Sequence, residues 1–151
     1  MGLSLDERLI EGAVEGVRRF GTSFPTSRSF LTQGYLERLE DKLETLFGYS
    51  CVLASSTSLA HTAFLPIFMG KNDVFICDHQ VHSSVQVAAE IIRAKGCTKD
   101  IIRHNDLHKL EEKIIAYSKT HRNVWFLADG IYSMYGDKAL VQALQRLLQQ
   151  Y

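Results

Sequence analysis

The sequence predicts an α/β fold, a mostly parallel sheet flanked by helices, and three observations predict it. Apolar residues fill 46% of 151 positions, enough for one domain with a real core. From Cys51 onward, short apolar runs of strand length alternate with stretches of helical periodicity. The spacing leaves room for helices of ten or more residues between successive strands, the mark of parallel βαβ units.

The elements follow in order. Ser4-Leu5-Asp6-Glu7 reads as a capping box, with Ser4 as cap and Glu7 reaching back, and Leu5, Leu9, Ala13, Val14 and Val17 continue it as a helix over residues 5–19. Residues 21–33, rich in Thr, Ser, Gly and Pro, read as a loop. Tyr35, Leu36, Leu39, Leu43, Leu46 and Phe47 mark a second amphipathic helix that Gly48 ends. Residues 51–54 are a candidate strand and 57–69 a candidate helix, in which Pro66 is expected to kink or shorten the coil. A strand at 74–77 precedes a helix from about His82 to Ala94, and Ile101-Ile102 is a third strand. Asp106 can cap a helix with Leu107, Leu110, Ile114 and Tyr117 on one face. Residues 124–127 are a fourth strand, and 138–150 a closing helix. No internal repeat, low-complexity segment or linker interrupts the layers.

Composition narrows the function. Lys+Arg and Asp+Glu are 17 each, so no net field favours nucleic acid or an anionic membrane. No apolar run approaches the ~20 residues of a bilayer span, and Asp6, Glu7 and Arg8 interrupt any signal-peptide core. Cys51, Cys77 and Cys97 are odd in number and widely spaced, as expected of buried reduced thiols in a cytoplasmic protein.

Three places could carry chemistry. Ser56, Thr57 and Ser58 stand between a strand and a helix, where free N–H groups at a positive helix end suit a phosphate, although Ser and Thr there are also ordinary caps. His79 and His82 follow the strand 74–77, and strand ends are where ligands bind in open parallel sheets. An imidazole there can stack on an aromatic cofactor or move a proton, or simply cap a helix. Asp129 and Ser133 follow the strand 124–127 and could meet the same ligand, although Asp129 before Gly130 also suits a turn. His104 and His108, four apart, could be half of a metal site, but a solvated helix face is the expected use. None of the eight lysines stands at an apolar strand end with small neighbours, where burial would lower the pKa of a Schiff-base lysine.

Taken in order, these pieces resemble the α-oxoamine synthases, fold-type I pyridoxal-phosphate (PLP) enzymes that include 8-amino-7-oxononanoate synthase, 2-amino-3-ketobutyrate CoA ligase, 5-aminolevulinate synthase and serine palmitoyltransferase. The likeness runs from about Leu5 to Tyr151. It rests on Arg19-Phe20-Gly21-Thr22 through Ser27-Arg28 with Leu39-Glu40, on Ser55-Ser56-Thr57-Ser58, on Asp78 with His82-Ser83-Ser84, on His104-Asn105-Asp106, and on Asp129-Gly130-Ile131-Tyr132-Ser133-Met134 with Gly136-Asp137. The resemblance implies part of an aspartate-aminotransferase-like large domain. It implies that Ser56, Thr57 and Ser58 cradle the phosphate of pyridoxal 5'-phosphate, that His82 stacks on its ring, that Ser133 lies beside the ring and that Asp129 is close by. The implied activity is biosynthetic acyl transfer, joining an amino acid to an acyl-CoA thioester with decarboxylation, in a homodimer or heterodimer. The cofactor lysine, a preceding N-terminal segment and a C-terminal small domain have no counterpart in these residues, so the chain alone is expected to be inactive, or to serve as a non-catalytic partner of a full-length relative.

The sequence also departs from the family pattern. Residues 22–28 carry fewer glycines, Thr32-Gln33-Gly34-Tyr35 lacks an expected histidine, Thr57-Ser58 replace a glycine-aromatic pair, His61 replaces an asparagine and Tyr135 an aspartate.

Overall fold

The computed structural model describes residues 3–23 and 34–151. The chain divides into two compact units, Met1–Leu53 and Ala54–Tyr151. Of the expected loop at 21–33, residues 24–33, with Ser27 and Arg28, lie outside the described residues.

In the first unit a 3-10 turn at Leu3–Leu5 leads into α1 (Glu7–Phe20). The cap is Asp6 and not Ser4, because the Asp6 carboxylate accepts from the Arg8 amide at 3.0 Å while its side chain also pairs with the Arg8 guanidinium. Helix α2 (Tyr35–Phe47) ends as expected at Gly48, in the left-handed conformation with φ 73°. Neither helix buries a residue.

The expected strand at 51–54 is irregular. A strand needs a partner ladder, and here the Cys51 and Leu53 amides donate to Glu44 at 3.0 Å and Glu40 at 2.6 Å. Those glutamates stand four apart on one face of α2, so a helix takes the alternate N–H groups that a neighbouring strand would have taken.

The second unit holds the sheet. Three parallel strands run in the order β2 (Thr98–Ile102), β1 (Val74–Asp78), β3 (Val124–Leu127). All five residues of β1 are buried, as a central strand covered on both faces requires. Its side chains alternate: Phe75 and Cys77 join one core with Val85, Ala89 and Ile92, while Ile76 joins another with Ile102, Leu110 and Ile114.

The first core is closed by α3 (Thr57–Phe68), packed on α4 (Ser83–Ala94), and the second by α5 (Leu107–Tyr117) and α6 (Val141–Leu148). Helix α3 runs through Pro66 to Phe68, and the Lys95 ammonium donates to the Pro66 carbonyl at 2.7 Å, satisfying a group at the helix end. Asp106 caps α5 through the Lys109 amide at 2.9 Å, as expected.

Two short strands, β4 (Ile131–Tyr132) and β5 (Asp137–Lys138), form a hairpin absent from the sequence expectation. Its four-residue loop holds Ser133 and closes on Gly136 at φ 72°. The closing helix therefore begins at Val141, three residues later than expected. At the start of β1, buried Asp73 accepts from the Gly70 amide at 3.0 Å, from Asn123 at 3.0 Å and from the Arg122 guanidinium at 3.2 Å. These bonds outweigh the burial that alone would raise its carboxyl and hold its pKa below the ordinary value.

Candidate functional site

A cavity of about 410 Å³ opens in the second unit, lined by Thr57, His61, His82, Ser84, Asp129, Gly130, Ile131 and Ser133. Three chain segments meet there: the first turn of α3, the junction between β1 and α4, and the turn from β3 into the hairpin. All three places singled out in the sequence thus converge.

Each segment is fixed by its own bonds. Ser56 caps α3, its hydroxyl accepting from the Leu59 amide at 3.2 Å. The Ala60 amide bonds the Ser56 carbonyl, so the first-turn amides of Thr57 and Ser58 are the ones left over at the positive end of the helix. Thr57 lines the cavity. Ser56 and Ser58 do not: the hydroxyl of Ser56 is spent on the cap, and the Ser58 carbonyl accepts from Thr62.

His82 is the cap of α4, its Nδ1 accepting from the Ser84 amide at 3.2 Å. Its residue remains exposed, which leaves the ring open to a ligand. The His82 amide donates to Asp129 Oδ2 at 2.7 Å, a bond spanning 47 residues that ties the turn after β3 to the start of α4. Asp129 is therefore more than a turn former. His79 is absent from the cavity lining; it sits 3.9 Å from Asp78 and contacts Gln80.

Behind the cavity lies a polar hub that sequence reasoning missed. Asp78, wholly buried at the end of β1, accepts from the Gln80 amide at 2.9 Å, the Asn105 amide at 2.8 Å, the Tyr132 hydroxyl at 3.0 Å and His104 Nδ1 at 3.0 Å. Burial alone would raise the Asp78 carboxyl, but the amides of Asn105 and Gln80, the Tyr132 hydroxyl and the His104 charge bring it below the ordinary value. Burial and the neighbouring Asp78 push the Tyr132 phenol well up.

His104 also donates through Nε2 to Asp137 on β5 at 2.8 Å. The Asp137 bond raises the His104 pKa most; partial burial opposes it, and the charge and bond of Asp78 support it. His104 is thus a strut between sheet and hairpin, and the expectation of a solvated face fits only His108, 84% exposed beside Glu112. The signal available in the sequence was Asn105, the one residue other than glycine at positive φ among the described residues, at 55°; Asn tolerates that conformation, and there it turns its amide onto Asp78. Among the described residues, no group of three or more His, Cys, Asp or Glu side chains is arranged to hold a metal ion.

No protein-family model matches the chain. It is 32% identical to the 8-amino-7-oxononanoate synthase of Maricaulis maris (strain MCS10) over 152 residues, 99% of this chain and 38% of that protein. Over this stretch the chain is similar to the α-oxoamine synthases. It spans 38% of the length of that relative. A Sphingomonas wittichii serine palmitoyltransferase superposes with a TM-score of 0.86 at 22% identity, covering 99% of this chain and 37% of that one. A serine palmitoyltransferase structure holding a PLP internal aldimine gives 0.85 at 22% identity, with 99% and 37% coverage. The expected architecture, part of a PLP-transferase large domain with its parallel sheet between helices, is the one found. Among the described residues no helix is long and apolar enough to cross a membrane.

Proposed function

We propose that this chain supplies the phosphate-binding and ring-binding part of a PLP site in an acyltransferase of α-oxoamine synthase type. The observation that carries this reading is the single cavity shared by Thr57, His82 and Ser133. Its donor set suits a planar phosphorylated ligand. The α3 amino terminus and the Thr57 hydroxyl can take the phosphate, the open His82 ring can stack, and the Ser133 hydroxyl can bond a ring substituent. Bound PLP supplies an electron sink for carbanion chemistry at an amino acid. The protein's share here is orientation. Asp129 fixes the main chain of His82, and the Asp78–His104–Asp137 strut fixes the hairpin that carries Ser133. The substrates that go with this reading are an amino acid and an acyl-CoA thioester, and the place of action is the cytoplasm. The domain assignment that goes with it is a PLP-binding large domain over residues 1–151.

Among the described residues no lysine lines the cavity, so these residues by themselves are expected to hold PLP without a covalent bond. A second reading is a non-catalytic partner of a lysine-bearing relative. Exposed Leu9, Ile10, Val14 and Val17 on α1 support self-association or pairing with such a relative.

PLP titration followed by absorbance and fluorescence tests the site. Reversible binding is expected, with no specific lysine adduct after borohydride, and His82→Ala or Ser133→Ala should weaken it about tenfold, equivalent to ~1.4 kcal/mol. Unchanged affinity in both variants sinks the site, while a specific covalent adduct sinks the non-covalent reading. A stable heterodimer with a full-length 8-amino-7-oxononanoate synthase would favour the partner role.

A further inference from the structure

We propose that His61 is a positioning residue for His82: it donates from Nδ1 to the Ser84 hydroxyl, which in turn donates to Nδ1 of His82, so the two imidazoles are locked in opposite tautomers. Use of this relay in ligand binding rests on the PLP reading above; the tautomers themselves do not.

The relay is three side chains long. His61 Nδ1 lies 3.0 Å from Ser84 Oγ, and His82 Nδ1 lies 2.8 Å from the same oxygen. Ser84 is only 6% exposed, so water does not readily replace either partner. His61 stands one turn after Thr57 on α3, and both line the cavity with His82.

The direction follows from counting protons. His82 Nδ1 already accepts from the Ser84 amide, so it carries a lone pair, and the proton of the neutral ring sits on Nε2. The hydroxyl oxygen 2.8 Å from the same nitrogen must also turn its proton toward it, because two facing lone pairs repel, and the one lone pair of Nδ1 is shared between this short bond and the longer amide bond at 3.2 Å. Ser84 has one hydroxyl proton, now committed to His82. His61 must then be the donor at Nδ1, leaving its own Nε2 bare. One cavity imidazole thus keeps a donor nitrogen free and the other an acceptor. The neutral hydroxyl of Ser84 is held by both, and His82 loses ring rotation that a ligand would otherwise have to freeze.

Two-bond nitrogen–proton NMR on the intact chain without ligand, at pH about 8 where ordinary histidines are neutral, reads both tautomers. We expect Nδ1–H at His61 and Nε2–H at His82, with Ser84→Ala returning His61 to a majority of Nε2–H. Nε2–H at His61 in the native chain, Nδ1–H at His82, or no change in Ser84→Ala overturns the relay. A second readout is PLP affinity. His61→Leu should weaken it about threefold to tenfold, up to ~1.4 kcal/mol. His61→Asn should restore it, because the Asn amide nitrogen is bonded to Cγ, as Nδ1 is, and keeps a donor for Ser84. Loss in Leu without recovery in Asn overturns the positioning role. Opposite tautomers in a chain that fails to bind PLP would sink the proposed function alone; PLP binding with the tautomers wrong would sink the relay alone.

Discussion

The helices before Leu53 and those after it are written in the same amphipathic code, yet they end differently. Helices α1 and α2 bury nothing, while every buried residue among the described residues lies at Pro66 or beyond. An apolar stripe states which face of a helix is suited to burial; whether a partner covers it depends on other elements. Helices α4 and α5 meet β1, whose five buried residues serve both faces of the sheet. In α2, Leu39 and Leu46 remain 47% and 73% exposed.

Paired substitutions test that contrast most strongly. Phe75, wholly buried in the first core, should cost about 3–5 kcal/mol when replaced by Ala. Leu39→Ala in α2 should stay within about 0.5 kcal/mol. Urea unfolding of both variants measures the difference. A Leu39 penalty as large as that of Phe75 would mean that α2 is covered in solution, and the comparison would fail.

The hub behind the cavity gives a smaller, pH-dependent effect. His104 is held above its ordinary pKa by Asp137 and Asp78, so it binds its proton more tightly folded than unfolded. That stabilisation is complete below the unfolded value of about 6.5 and is lost as pH rises through the folded pKa. His104→Gln keeps a hydrogen-bonding side chain without the charge. The native chain's advantage over it should be greatest near pH ~5–6 and shrink toward pH ~8–9. A difference in midpoint that is flat across this range would show that folding leaves the His104 pKa unshifted.

Much of this was legible in the sequence because local chemistry and tertiary position agreed. The apolar run at 74–77 falls within β1, Asp106 caps α5, and the hydroxyl at 57, imidazole at 82 and hydroxyl at 133 meet in one cavity. What escaped depended on partners far along the chain. Cys51 and Leu53 have the apolar character of a strand, but their amides go to two glutamates of a helix. The β4–β5 hairpin has two residues per strand, too short for periodicity to register. His104 has the sequence neighbourhood of a surface helix start, and only Asp78 and Asp137, 26 and 33 residues away, make it a strut. The same holds for His61, one turn into α3, whose partner Ser84 is 23 residues away.

Two glycines bring the contrast down to its smallest scale. Gly48 ends α2 at φ 73° with open space where a Cβ would stand, whereas Gly96, just past α4 at φ 92°, would place a Cβ 3.2 Å from Lys71 Cγ. Alanine is strained at either backbone, by about 1 kcal/mol, and at Gly96 the Lys71 side chain must also shift. Gly96→Ala should therefore lower the global unfolding midpoint, because Thr98–Ile102, two residues on, form the strand beside β1. Gly48→Ala should show chiefly as faster amide exchange in the last turn of α2, with the global midpoint little changed. Equal losses of global stability would mean that the two units unfold together, so that the apolar stripes of α1 and α2 contribute to the same cooperative transition as the buried sheet.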